Sequence, residues 1–487
     1  MKEREKLILR NRLIPVPTSY SFDLDKEYIL ADGSKMEILL EETNGAEALA
    51  GKLFQGYWGK TPVLTVKETA YNSKSEDAYT LSVKEDLITV KGKNLTSLKN
   101  AFKTLRQLAE VARGTFRVTD YIVSCCEIED APVMSFRGIH FCIFPETTRE
   151  DLEKRIRLAA AHKFNYAVIE PWGIFPYETH PFLSWKGMTW KKEEIKRLVH
   201  LGKELGITLC PQLNILGHAA CARGGQGKHV ILDQDPTFQS LFEPDGWTWC
   251  LSNPYTRQVL SDAVVELCEA FENPPYFHIG CDEAINLAVC RDCRKSNLED
   301  LLLDHIIHFK DLLQSRGART IMWHDMLLTH GDKRFNGYYA NRKKEDHYEN
   351  LCQRLPRDII IADWQYGCPP EPGEVPEVDS SWPTNAYFKE EGFDVVLSPW
   401  KNNKGTIQQG NCIRERNLMG MLETTWHTLL SYPDYHAMFY VASNCAWNAN
   451  EENILSYNMN LTFHLRQVIH DMGLTRYEDF GFDAKQL

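Results

Sequence analysis

The run Phe277-His278-Ile279-Gly280-Cys281-Asp282-Glu283-Ala284 ends a short apolar stretch on two adjacent carboxylic acids. Side chains alternate faces along a strand, so Asp282 and Glu283 leave it in different directions and can take different parts at one site. One can hold a substrate while the other moves a proton. Cleavage of a glycosidic bond needs a proton donor to the departing oxygen and a group that stabilises an oxocarbenium-like carbon. Glu283 suits the donor. Asp282 is poorly placed to attack the opposite side of a sugar, but a 2-acetamido group on the substrate removes that difficulty. If the substrate carries one, its carbonyl oxygen would attack the anomeric carbon to give an oxazoline, Asp282 would bind the amide nitrogen, and Glu283 would then switch from acid to base; a second carboxylate from elsewhere in the chain, at nucleophile distance, is the alternative the sequence leaves open. An isolated Asp-Glu pair more often ends a strand as plain surface, so the weight rests on what surrounds it.

Apolar strand-like runs recur after Asp130-Ala131-Pro132: 136–143, 166–169, 208–213, 276–280, 319–323, 359–362, 395–398 and 418–422. Helical patterns fall between them, at 149–161, 193–205, 255–271 and 297–315. Eight such repeats predict a (β/α)8 TIM barrel over 126–487, where chemistry gathers past the C-terminal ends of the strands. Those ends carry Arg137 and His140, Glu170 and Trp172, Asn214 and His218, Asp282 and Glu283, then Trp323, His324 and Asp325. Trp364 and Tyr366, Trp400, and finally Glu423, Trp426 and His427 complete the set. Aromatic faces stack on the C–H faces of sugar rings, so Trp323, Trp364, Trp400 and Trp426 together point to carbohydrate, although any one of them taken alone reads as core. Residues 1–125 show short β-like runs, 78–83 and 87–90, and an amphipathic helix at 98–111, which predicts a small non-catalytic α+β domain.

A net charge of −12 argues against general affinity for nucleic acid or anionic membrane. No signal-peptide core or spanning segment is apparent, so the 14 cysteines are expected as reduced thiols in a cytoplasm. Cys290-Arg291-Asp292-Cys293 has the gap of a zinc half-site with Cys281 near in sequence, but buried free thiols are the plainer reading, and no metal or cofactor is expected. A metal-dependent hydrolase using His140, His218 or the cysteines lacks His-x-His or comparable ligand spacing.

These motifs resemble the glycoside hydrolase family 20 β-N-acetylhexosaminidases. That family shows His-x-Gly-Gly-Asp-Glu, and His278-Ile279-Gly280-Cys281-Asp282-Glu283 matches it except that Cys281 replaces the second Gly. Phe136-Arg137-Gly138 resembles the barrel entry, which implies a sugar-hydroxyl role for Arg137. Leu216-Gly217-His218 resembles the family's Pro-Gly-His, implying a substrate-side role for His218. Met322-Trp323-His324-Asp325, Trp364-Gln365-Tyr366 and Gly420 to Trp426 resemble the segments of the acetamide pocket, and Tyr366 the tyrosine that bonds the acetamido oxygen. Ile14-Pro15-Val16-Pro17 and the run 102–108 resemble the family's N-terminal domain.

The resemblance implies a retaining exo-β-N-acetylhexosaminidase that releases terminal GlcNAc or GalNAc from an oligosaccharide or glycoconjugate. Two departures stand out. Ile169-Glu170-Pro171-Trp172 replaces the usual acidic pair after the second strand, leaving Glu170 alone for hydroxyl contacts, and Thr428 stands where an acid is expected after the last Trp. Such changes look more like a divergent, cytosolic exo-acting branch. They keep open a glycosidase for a modified or different sugar, and a sugar-binding barrel without turnover, against which the intact Asp282, Glu283 and Tyr366 count.

Overall fold

The computed structural model describes residues 2–112, 120–220, 231–335, 348–367, 382–426 and 432–448. It separates into two compact units, Met1–Arg137 with Arg157–Phe164 and Phe439–Leu487, and Gly138–Ile156 with Asn165–Met438. His427 and Thr428 lie outside the described residues.

The first unit holds strands β1 (Ser19–Leu30), β2 (Lys35–Leu40), β3 (Val63–Glu68), β4 (Tyr79–Val83), β5 (Ile88–Gly92), β6 (Glu110–Val111) and β7 (Tyr121–Asp130). They form one sheet in the order β1-β7-β4-β5-β2-β3, with β6 paired to β7. Alternation sets its core: Tyr79, Leu81 and Val83 of β4 and Ile88 and Val90 of β5 point inward with Phe54 and Trp58 of helix Ala46–Trp58 and with Leu98, Phe102 and Leu105 of helix Leu95–Leu108. The second helix starts three residues before its expected start because the Asn94 side chain accepts from the N–H groups of Thr96 and Ser97. It ends at Ala109, whose extended backbone leads into β6. The expected boundary at 125/126 cuts β7, which runs on to Asp130 paired with both β1 and β4.

Asp130 anchors a buried polar knot in this unit. Its Oδ2 accepts from Tyr79 Oη at 2.6 Å and Lys163 Nζ at 3.0 Å, and its Oδ1 accepts from Trp447 Nε1 at 2.7 Å. Both charges are fully buried, so each is tolerable only because the other and the neutral donors complete its shell.

The second unit is built on eight parallel strands: β8 (Phe136–Ile143), β9 (Tyr166–Pro171), β10 (Thr208–Pro211), β11 (Tyr276–His278), β12 (Arg319–Trp323), β13 (Ile360–Trp364), β14 (Asp394–Ser398) and β15 (Gly420–Thr424). Their order is β10-β9-β8-β15-β14-β13-β12-β11. The ends of that order meet through a parallel bridge between Gln212 and His278, reinforced by Leu213 N–H donating to His278 O at 3.0 Å. The sheet thus closes into a (β/α)8 barrel, with helices Arg149–Ala161, Lys192–Leu205, Pro254–Ala270, Leu298–Ser315, Pro383–Glu390 and Asn403–Glu415 between the strands. Strands buried on both faces explain the continuous apolar runs, of which Ile360-Ile361-Ala362 is typical. Among the described residues no helix is long and apolar enough to cross a membrane.

Candidate active site

β11 ends at His278, and the chain then turns through Gly280 (φ 67°), Cys281 (φ 72°) and Glu283 (φ 48°). A Cβ on Gly280 would lie 2.5 Å from Asn214 Cγ, so only glycine fits there. Cys281 adopts the same left-handed backbone where the resembling family has glycine, and is fully buried. His218 (φ 54°) and Trp426 (φ 41°) are left-handed too. Strained non-glycine residues persist where surrounding structure holds them, commonly at functional sites, and four of them sit on these loops. A Cβ on Gly217 would lie 2.1 Å from Asp282 O, so its absence lets the β10 loop press against the carboxylates.

The two acids are held differently. Asp282, 6% exposed, accepts a short hydrogen bond from Asn214 Nδ2 on Oδ1, while His218 Nε2 lies 3.3 Å from Oδ2. Glu283 has a side chain 30% exposed, with its Oε2 3.3 Å from the same His218 nitrogen. Its backbone is pinned on both sides: the carbonyl accepts from Trp247 Nε1 at 2.6 Å and the N–H donates to Asp325 Oδ2 at 3.0 Å. Trp247 also packs its ring on His218, with centroids 4.4 Å apart.

Asp325 joins the acids to the aromatic wall, for its Oδ1 accepts from Trp364 Nε1 at 3.0 Å. Burial, with the Asp282 charge behind it, pushes this carboxyl up to about 8. Trp364 stacks on Tyr366 at 5.2 Å, Tyr366 meets Trp400 edge-on at 5.2 Å, and Trp426 Nε1 donates to Tyr366 Oη at 2.8 Å. In that bond the Tyr366 oxygen is the acceptor, and the Thr424 side chain lies beside the same hydroxyl. Burial, then the Asp282 charge, hold the phenol well above its ordinary range, so it stays protonated.

Asp282, Glu283 and His218 thus come together, and Trp364, Tyr366, Trp400 and Trp426 form one aromatic group. Trp323 is fully buried beneath them, its ring 4.2 Å from His278 and 5.8 Å from Trp426, so it is floor and not wall. Arg137 is elsewhere. It lies near the N-terminal end of β8, where its guanidinium pairs with Asp77 at 3.0 Å and donates to Met134 O and Lys163 O, which corrects its expected role on the sugar. Glu170 is also corrected: 2% exposed, it accepts from Gln212 Nε2 at 2.8 Å, Trp172 Nε1 at 3.0 Å and Cys142 Sγ at 3.3 Å. With its oxygens taken by protein donors, it orders the barrel interior. The selection of site residues from the sequence omitted Asn214 and Asp325, although both stand at strand ends, and Trp247, whose only signal is the aromatic turn Asp245-Gly246-Trp247-Thr248-Trp249.

A barrel with paired acids and an aromatic wall at its strand ends is the architecture of a glycosidase. The profile for Glycosyl hydrolase family 20, catalytic domain, matches residues 157–367, and that for Glycosyl hydrolase family 20, domain 2, matches residues 11–131. Together they take in more than half of the chain, which belongs to glycosyl hydrolase family 20. It is 28% identical to a chitooligosaccharidolytic β-N-acetylglucosaminidase of Bombyx mori over 43% of this chain and 37% of that protein. It is 25% identical to the human β-hexosaminidase subunit β over 68% of this chain and 55% of that one. The chain therefore spans about half or less of the length of these relatives. Among solved structures, the family 20 exo-β-N-acetylglucosaminidase of Vibrio harveyi, in complex with N-acetylglucosamine, superposes with a TM-score of 0.70 at 17% identity, covering 95% of this chain and 78% of that one. That likeness speaks to the fold.

Proposed function

We propose that this protein is a retaining exo-β-N-acetylhexosaminidase acting on terminal GlcNAc or GalNAc of an oligosaccharide or glycoconjugate. The observation that carries the reading is the asymmetry of the pair: Asp282 is buried and fixed by Asn214 and His218, whereas Glu283 is open to a leaving group. In the first step the acetamido carbonyl oxygen bonds to the anomeric carbon as the glycosidic C–O bond breaks, and Glu283 gives its proton to the departing oxygen. The Asp282 carboxylate accepts from the acetamido N–H and stabilises the positive oxazolinium, while the Tyr366 hydroxyl orients the carbonyl. In the second step Glu283 takes a proton from the water that attacks the anomeric carbon, which reopens the ring with net retention. The Trp364, Trp400 and Trp426 rings enclose the sugar and its methyl group.

The reading extends to a cytoplasmic location, supported by the absence of a disulfide among the 12 described cysteines. One observation favours a second reading, a glycosidase for a modified or different sugar: neither Arg137 nor Glu170 is available to sugar hydroxyls. Release of 4-nitrophenol from β-GlcNAc, β-GalNAc and β-glucose derivatives, with and without a thiazoline mimic of the oxazoline, tests the choice. Turnover of acetamido sugars alone, blocked by the thiazoline, supports the first reading. Turnover of the glucoside, untouched by the thiazoline, overturns it.

A further inference from the structure

Glu243, Cys250, Cys290 and Cys293 place their ligand atoms within 4.8 Å of one another. Cys250 Sγ lies 3.7 Å from both Cys290 Sγ and Cys293 Sγ. A zinc ion with Zn–S bonds of about 2.3 Å sets tetrahedral sulfur–sulfur edges of about 3.8 Å, whereas a disulfide needs about 2.05 Å. Two such edges meeting at Cys250 match the metal polyhedron, and a disulfide would strand the third sulfur.

The backbone is arranged to aim these groups. Phe242 and Trp249 pair across a hairpin, and Glu243 N–H donates to Thr248 O at 2.8 Å, which sets Glu243 and Cys250 side by side. From the other side, Cys290 and Cys293 fold as a knuckle in which Cys293 N–H donates to Cys290 Sγ at 3.4 Å. The Glu243 carboxylate is the second sign of a ligand. Its Oε2 accepts from the N–H groups of Val289 and Cys290 at 2.9 and 2.6 Å, while Oε1, in a residue with no exposure, meets no nitrogen or oxygen donor among the described residues, and the Cys290 and Cys293 thiols lie against the carboxylate. A buried carboxylate with an oxygen within 4.8 Å of three cysteine sulfurs completes a four-member ligand set.

We infer that Glu243, Cys250, Cys290 and Cys293 form a closed Cys3Glu zinc site. Four protein ligands leave no open position, so the ion is structural, and the thiolate-rich set selects zinc over magnesium or calcium. Cys281, the third cysteine near this pair in sequence, is not a ligand: it is buried with its N–H on Asn214 Oδ1. The ion clamps the chain just after Glu283 to the hairpin whose Trp247 Nε1 holds Glu283 O and whose Trp249 Nε1 holds Asn214 O at 3.1 Å. It thereby fixes the frame of the paired acids from outside the site, whichever sugar is cleaved.

The test uses the full chain, purified without chelator, with metal content read by plasma mass spectrometry. About one zinc per chain is expected, released by a mercurial in step with titration of the thiols. Exchange for Co2+ should give thiolate-to-cobalt charge-transfer bands and the visible bands of a tetrahedral ion. The double variant Cys290→Ser/Cys293→Ser should lose the ion and Cys281→Ser should keep it. Should the double variant fail to fold, the cobalt spectrum of the unaltered chain decides alone. Octahedral cobalt bands, folded protein without metal that takes up none, or a disulfide among Cys250, Cys290 and Cys293 under non-reducing alkylation would each overturn the assignment.

Discussion

One imidazole nitrogen, His218 Nε2, lies 3.3 Å from both Asp282 Oδ2 and Glu283 Oε2. A single ring therefore sets the spacing of two acids with different tasks, and Trp247 holds that ring in turn. His218 is a positioning residue in this arrangement. We expect His218→Ala to lower kcat by about 10- to 100-fold, the usual cost of losing an orienting partner. Because it touches both acids, the loss should be alike for good and poor leaving groups, with KM little changed. A loss confined to KM would place His218 on the substrate instead.

The acids themselves separate by leaving group. Glu283→Gln is predicted to cost about 10²- to 10⁴-fold for alkyl or sugar leaving groups and far less for nitrophenolates, which depart without a proton. Asp282→Asn should cost as much for both, because the oxazolinium loses its counter-charge whatever departs, and it should weaken thiazoline binding in parallel. Equal damage by Glu283→Gln across leaving groups contradicts its role as the acid, and undiminished thiazoline affinity in Asp282→Asn contradicts substrate assistance.

Tyr366 accepts from Trp426, and in the proposed mechanism its own hydrogen goes to the acetamido carbonyl. Removing one preorganised donor of this kind costs about 10²- to 10³-fold in kcat. Tyr366→Phe keeps the ring that stacks on Trp364 but removes the acceptor of the Trp426 Nε1–H, so the expected outcome is that loss in kcat with only a modest fall in melting temperature. A destabilised protein with normal kcat would show that the hydroxyl serves packing alone.

Much of this was legible in the sequence because barrel strands are buried on both faces and leave uninterrupted apolar runs, as in Ile321-Met322-Trp323. Position past a strand end picked out Asp282, Glu283, Tyr366, Trp364, Trp400 and Trp426, which the fold places in the linked acid and aromatic groups described above. It failed where residue type and position agree but direction does not. Arg137 is on a barrel strand but at its N-terminal end, and Glu170 is at the correct end but turned among Gln212, Trp172 and Cys142. Nor could spacing show that Cys290 and Cys293 meet Cys250 and Glu243, 40 or more residues earlier, since only folding brings a hairpin to the knuckle.

Glu423, in β15, is fully buried, neither carboxylate oxygen has a hydrogen-bond partner among the described residues, and burial holds its pKa well above the usual range. The native state therefore keeps a proton that the unfolded chain loses above about 4.3. Stability from this group is complete below that pH and declines as pH rises towards the raised native value. Glu423→Gln, neutral throughout, should match or fall slightly below the unaltered protein near pH 4 and gain on it progressively as pH rises above about 4.3. Glu423→Met, which also removes the unpaired oxygens, should gain about 1–3 kcal/mol more. Urea unfolding at a series of pH values reads both differences. A difference that does not change with pH would mean that Glu423 is charged and compensated in the native protein.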